Sequence, residues 1–114
     1  MDMQRKKQLL EEYKNRKQEM GILSFFCAAT EETFLCLSLD TKADINSNRF
    51  KLSINWHPNK RMQELWNQYG ETNFKTSVIR VLKYEDPNAD HTEELEKLLK
   101  QCLDLNNGAR RMWK

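Results

Sequence analysis

The side chains that could do chemistry in this sequence are scattered rather than clustered. Cys27, Cys36 and Cys102 stand far apart with no CxxC pair, and His57 and His91 are the only histidines. No zinc-ligand spacing can be assembled from them. Ser24 and Ser38 lack the glycine-flanked context of a nucleophile elbow. The three glycines stand alone at positions 21, 70 and 108, which excludes a P-loop and a dinucleotide-binding turn. The acid pairs Glu11-Glu12, Glu31-Glu32 and Glu93-Glu94 are sequence neighbours. On a helix such neighbours diverge by about 100°, so they read as solvated faces rather than as converging carboxylates. One stretch differs. Residues 45–63 contain no acid, while Arg49, Lys51, Lys60 and Arg61 supply four cations and His57 a further one on protonation. Phe50 and Trp56 lie among them. Cations interleaved with aromatics can follow a phosphate backbone and stack on exposed bases, so Arg49, Lys51, Trp56, His57, Lys60 and Arg61 are the candidate nucleic-acid contacts. The competing reading is a core Phe50 and Trp56 beneath a merely solubilising charged surface.

Composition bounds the rest. The chain has 114 residues, with 19 Lys and Arg against 17 Asp and Glu, for a net charge of +2. That length holds one domain, and three Trp, five Phe and three Tyr supply enough large side chains for a core. A charge so near zero excludes a polybasic nucleic-acid binder but leaves room for a local basic groove. No apolar run approaches the roughly 20 residues of a membrane span. The basic start is followed by Leu9, Leu10 and Tyr13 in a helix-like pattern rather than by an apolar signal region. Three unpaired thiols suit a reducing compartment, so a cytoplasmic protein is expected.

These residues must be positioned by a small set of elements. Residues 3–18 are strong helix formers with a narrow Leu9, Leu10 and Tyr13 stripe, and they predict an N-terminal helical arm over 1–20. Gly21 ends it. Residues 22–27 and 33–39 are rich in strand formers and predict an antiparallel hairpin, across which Cys27 and Cys36 could face each other. Residues 40–55 predict a mostly irregular connection with one helical turn at most. Met62, Leu65, Trp66 and Tyr69 fall on one face of an amphipathic helix, with Pro58 in its first turn and Gly70 capping its end. Residues 74–84 predict a third strand. Asp90 and Thr92 are both N-cap candidates for a last helix, whose apolar face is Leu95, Leu98, Leu99, Cys102 and Leu103. Residues 106–114 remain as a basic tail. The expected architecture is α+β, a small three-stranded antiparallel sheet flanked by helices, with the domain proper over 21–105.

Residues 57–74, His-Pro-Asn-Lys-Arg-Met-Gln-Glu-Leu-Trp-Asn-Gln-Tyr-Gly-Glu-Thr-Asn-Phe, resemble the H-x-N-x-x-L-Q-x-x-W-x-x-Y-G-x-x-N-F segment of GIY-YIG nuclease domains. Gly21-Ile22-Leu23 stands where the GIY triplet would, and Phe34-Leu35-Cys36 where YIG would. The resemblance spans residues 21 to about 103. It implies a three-stranded antiparallel sheet flanked by helices and metal-dependent hydrolysis of a DNA phosphodiester. In that family two triplet tyrosines position the nucleophile, an arginine stabilises the phosphate charge and a glutamate binds the divalent cation. Such chemistry needs an oriented nucleophile, a cation on the developing charge and a bridging metal. Carried over to this chain, the tyrosine positions fall on Leu23 and Phe34, the second glycine on Cys36 and the arginine on Asp44. The metal position has Glu96 as its first candidate and Glu93 as its second. The expectation is a degenerate member that keeps the scaffold, needs no cofactor and acts as a binding or interaction module, with nucleic acid as a partner and no membrane. Two alternatives stand beside it. One is a divergent endonuclease using Mg²⁺ or Mn²⁺, with Tyr13, Tyr69 or Tyr84 supplying a hydroxyl and Arg49 the guanidinium. The other is a structural protein that forms a homodimer through the N-terminal arm.

Overall fold

The computed structural model describes residues 18–86, 88–106 and 108–113. The helical arm expected over the first residues, with its Leu9, Leu10 and Tyr13 stripe and its suggested homodimer contact, lies outside them apart from residues 18–20. Strands β1 (Met20–Cys27) and β2 (Glu32–Ser38) form the expected hairpin, with Phe25 opposite Phe34 and Leu23 opposite Cys36. Cys27 lies opposite Glu32, so the two hairpin thiols do not face each other. All three cysteines are buried and free. The turn between the strands carries Glu31 at φ 59°, a left-handed residue without glycine's freedom.

Residues 40–55 depart from expectation. Helix α1 (Thr41–Ser53) runs for 13 residues. Asp40 caps it by accepting from the Ala43 amide at 3.2 Å, the role for which a short acidic side chain is favoured. Its buried positions are Thr41, Asn48 and Leu52, so two of three are polar and no apolar stripe announces the helix. Hydrogen bonds compensate: the Thr41 hydroxyl donates to Glu19 at 2.7 Å, and the Asn48 amide to the Asp44 carbonyl at 2.7 Å.

Helix α2 (Lys60–Tyr69) has the predicted face, with Met62 and Leu65 buried and Trp66 and Tyr69 packed at the core's edge. Its N-cap is Asn59, whose side chain accepts from the Met62 amide at 3.0 Å, so Pro58 precedes the helix rather than opening it. Gly70 ends it at φ 83°. A 3₁₀ turn (Glu71–Asn73) leads into β3 (Phe74–Leu82), which pairs antiparallel with β1. Helix α3 (Thr92–Leu105) buries Leu95, Leu99 and Cys102. Its N-cap residue is His91, while the Asp90 carboxylate accepts from the Thr92 amide at 3.0 Å.

The stretch expected as a basic tail supplies a fourth strand. β4 (Ala109–Arg111) lies parallel to β2, giving the order β3-β1-β2-β4 instead of a three-stranded antiparallel sheet. The class remains α+β. The central strand β1 is covered on both faces, which is why its sequence is nearly continuous apolar residues. Leu23, Phe25, Cys27, Phe34 and Cys36 pack against Leu52 of α1 and Met62 and Leu65 of α2. Ile22 and Leu35 pack against Leu99 and Cys102 of α3 on the opposite face. No described helix is long and apolar enough to cross a membrane.

Candidate nucleic-acid interface

The sheet brings Leu23 and Phe34 to one face and closes both off from solvent, each 0% exposed. Asp44 in α1 is tied to the end of β2 by the Ser38 hydroxyl, which donates to its carboxylate, and its charge acts on Cys36. Cys36 belongs to the same layer, and burial followed by the charge of Asp44 pushes its thiol up to about 12. This corner therefore holds a hydrocarbon, a phenyl ring, a protonated thiol and a carboxylate. Leu23 and Phe34 offer no polar side-chain atom, and the carboxylate of Asp44 has the same sign of charge as a phosphate.

Glu96 and Glu93 lie on α3, across the sheet from that corner. Glu96 forms an ion pair with Arg111 at 2.6 Å, and that hydrogen bond holds its carboxyl below the ordinary range. Glu93 is exposed in the first turn of the helix. Among the described residues no three His, Cys, Asp or Glu side chains group as a metal site. Of the groups offered as substitutes, Arg49 is paired with Glu71 at 2.7 Å, and the Tyr84 hydroxyl donates to the Gln18 carbonyl. Tyr69 packs against the core, and Tyr13 lies outside the described residues.

Two solved structures are similar to this chain in fold. One is the catalytic domain of the homing endonuclease I-TevI, matched with a TM-score of 0.67 over 83% of this chain and 99% of that one, at 13% identity. The other is a point mutant of the intron endonuclease I-TevI catalytic domain, matched with a TM-score of 0.65 over 79% of this chain and 86% of that one, at 14% identity. The fold is that of the I-TevI catalytic domain. The GIY-YIG resemblance read from residues 57–74 thus holds at the level of the fold. No family profile and no curated protein sequence matches the chain.

On this I-TevI-like scaffold the six candidate contacts divide. Trp56 is 75% exposed, Lys60 is exposed and Lys51 is half-buried. Phe50 and Ile54 add exposed apolar surface beside them, so Phe50 and Trp56 are not core residues. Arg49 is held by Glu71 and lies 5.7 Å over the Trp66 ring. Arg61 grips the Glu32 carboxylate with two nitrogens and reaches Glu64 at 3.5 Å. These pairs spend two of the four cations on the protein itself.

His57 does structural work. It is buried at 6% exposure, and its Nε2 lies 2.7 Å from the Asn48 Oδ1 while its Nδ1 accepts from the Asn59 amide at 3.0 Å. That pattern selects the neutral tautomer protonated on Nε2. Burial, then the nearby Lys51 charge, holds its pKa below the ordinary histidine value. Asn59 in turn donates to the Met112 carbonyl at 2.9 Å, and the Trp113 ring stacks on His57 at 5.5 Å.

Arg110 and Trp113 join the candidates only in three dimensions. Together with Lys60 they border a groove of about 610 Å³ between residues 58–61 and 110–113. Their sequence signal was a short basic tail with one Trp. What it lacked was any local cue that pairing with β2, more than seventy positions upstream, would set it beside residues 58–61.

Proposed function

We infer that this chain is a nuclease-like domain without nuclease activity that serves as a nucleic-acid-binding module. The observation that carries the first half is the corner formed by Leu23, Phe34 and Asp44, where two hydroxyls and a guanidinium are replaced by apolar groups and a carboxylate. Loss of a single electrostatic donor already lowers a rate by roughly 10²–10³, and here the replaced groups act together. The second half is supported by the acid-free stretch 45–63, which leaves Lys51, Trp56 and Lys60 on the surface. The I-TevI-like fold agrees with it.

The test has two arms on the full chain. Supercoiled plasmid incubated with Mg²⁺ or Mn²⁺ is expected to stay uncut, and sustained nicking by the purified protein would refute the loss of activity. Polarisation binding to labelled DNA and RNA across a salt series is expected to show affinity that weakens with salt, because phosphate contacts release counterions. Charge reversal at Lys51 and Lys60 should abolish it. Affinity undetectable at about 50 mM salt, where such contacts are strongest, would remove the binding half.

A further inference from the structure

We propose that the groove between the start of α2 and the C-terminal strand is a subsite for a single unstacked nucleotide, with its phosphate at Lys60 and Arg110 and its base against Trp113. This rests on the nucleic-acid reading and names both the place of contact and the class of ligand. The groove depends on β4, a strand additional to the three-stranded sheet that the resemblance implies.

Charge selects the phosphate position. Four cations line the groove, but two are already neutralised: Arg61 by Glu32 and Glu64, and Arg111 by Glu96. Among the described residues no carboxylate stands within ion-pair distance of Lys60 or Arg110. The charge of Arg110 acts weakly on Glu32, a carboxylate that Arg61 already holds. Arg110 lies 5.6 Å over the Phe34 ring, so its guanidinium is aimed by a cation–π contact rather than by an acid. Two uncompensated positive charges match one phosphate group.

Geometry selects the base. Trp113 is 42% exposed, and its ring plane is set by the stack on His57, within 15° of parallel. His57 is itself anchored by Asn48 and Asn59, so the indole stands on a fixed support. A preset aromatic plane beside a cationic pair is the arrangement that holds an unpaired base and its phosphate, whereas the bases of a duplex are stacked on one another and cannot reach it. A volume of about 610 Å³ falls in the size class of small-ligand sites. The same chemistry could come from a free nucleotide or from an unpaired nucleotide within a strand.

The experiment uses the full chain and a labelled single strand of about 12 nucleotides, its duplex, and the same strand made abasic. The single strand should bind most tightly. Trp113→Ala and Arg110→Ala should each weaken it about tenfold, while Trp113→Phe, which keeps a ring, should retain most of the affinity. Thermal melting of each variant separates loss of contact from loss of fold. Adenosine monophosphate that displaces the strand at matching concentration assigns the groove to free nucleotides, and failure to displace assigns it to strands. Binding that persists unchanged in folded Trp113→Ala and Arg110→Ala overturns this site and leaves the nucleic-acid reading intact. Abasic strand or an acidic peptide binding as well as the intact strand overturns the stacking role. No binding of any nucleic acid at about 50 mM salt removes both proposals.

Discussion

His57 and His91 are both buried, yet their surroundings pull them in opposite directions. Burial, reinforced by Lys51, lowers His57, whose Nδ1 must stay unprotonated to accept from the Asn59 amide. His91 is raised, first by its hydrogen bond to the Asp86 carbonyl and then by Glu94 and the Asp86 charge. A lowered histidine binds fewer protons folded than unfolded. Its contribution is therefore complete above about pH 6.5 and is lost as pH falls toward the folded value. The raised His91 contributes fully below about pH 6.5 and loses that contribution as pH rises through its folded value. Urea midpoints measured from about pH 5 to about pH 8 should therefore fall on both sides of a maximum, with His57→Gln flattening the acid limb and His91→Gln the alkaline limb. A flat acid limb in the unmodified protein would contradict the neutral, network-bound His57. The residue scale is also where sequence reading met its limit. His57 reads as a phosphate contact because it sits among cations, and its buried partner Asn48 belongs to a stretch with no helical signature. Leu23 and Phe34, by contrast, stand in strand-forming runs that read directly as the hairpin, and both are buried in one layer of it.

At the scale of elements, legibility followed apolar periodicity. α2 was readable because Met62, Leu65, Trp66 and Tyr69 repeat on one face, and α1 was not, because its buried positions are mostly polar. β4 has three residues and is held by partners more than seventy positions away, so nothing local could announce it. The glycines show how different physics hides behind one residue type. Gly21 sits inside β1 rather than before it, and a Cβ there would lie 2.1 Å from the Arg80 carbonyl oxygen of β3. A register shift of the β1–β3 pair follows at once, between Ile22 and Leu23. Gly70 has open space around it but a φ of 83°. Gly21→Ala should force the two strands apart and cost about 3 kcal/mol through overpacking. Gly70→Ala should cost about 1–3 kcal/mol through backbone strain alone. Urea unfolding reads both, and the two differ in kind. A smaller residue cannot relieve Gly21, and Gly70→Asn should cost as much as Gly70→Ala, because φ 83° with ψ 169° is a region only glycine adopts and not the left-handed helical one that asparagine tolerates.

For the whole molecule, the net charge of +2 conceals an internal arrangement in which cations of the acid-free stretch are tied to acids elsewhere: Arg49 to Glu71, and Arg61 to Glu32. The C-terminal segment is joined to the rest in the same distributed way. Met112 is 4% exposed within the core that contains Phe34 and Leu65, its amide donates to the Leu35 carbonyl at 2.8 Å, and Arg111 reaches Glu96 of α3 at 2.6 Å. One short strand thus connects β2, the start of α2 and the outer face of α3. Removal of residues 109–114 should therefore act as a core deletion rather than as trimming of a loose end. Burial lost at Met112 alone is worth about 2–5 kcal/mol. For a domain of this size that corresponds to a melting point lowered by on the order of 10 °C or more. Met112→Ala in the full chain should reproduce most of the fall, because the surface ion pair of Arg111 contributes little once screened. Arg111→Ala should then melt within a few degrees of the unmodified protein. A truncated chain that melts unchanged would return residues 109–114 to the status of a tail and separate the groove they build from the stability of the domain.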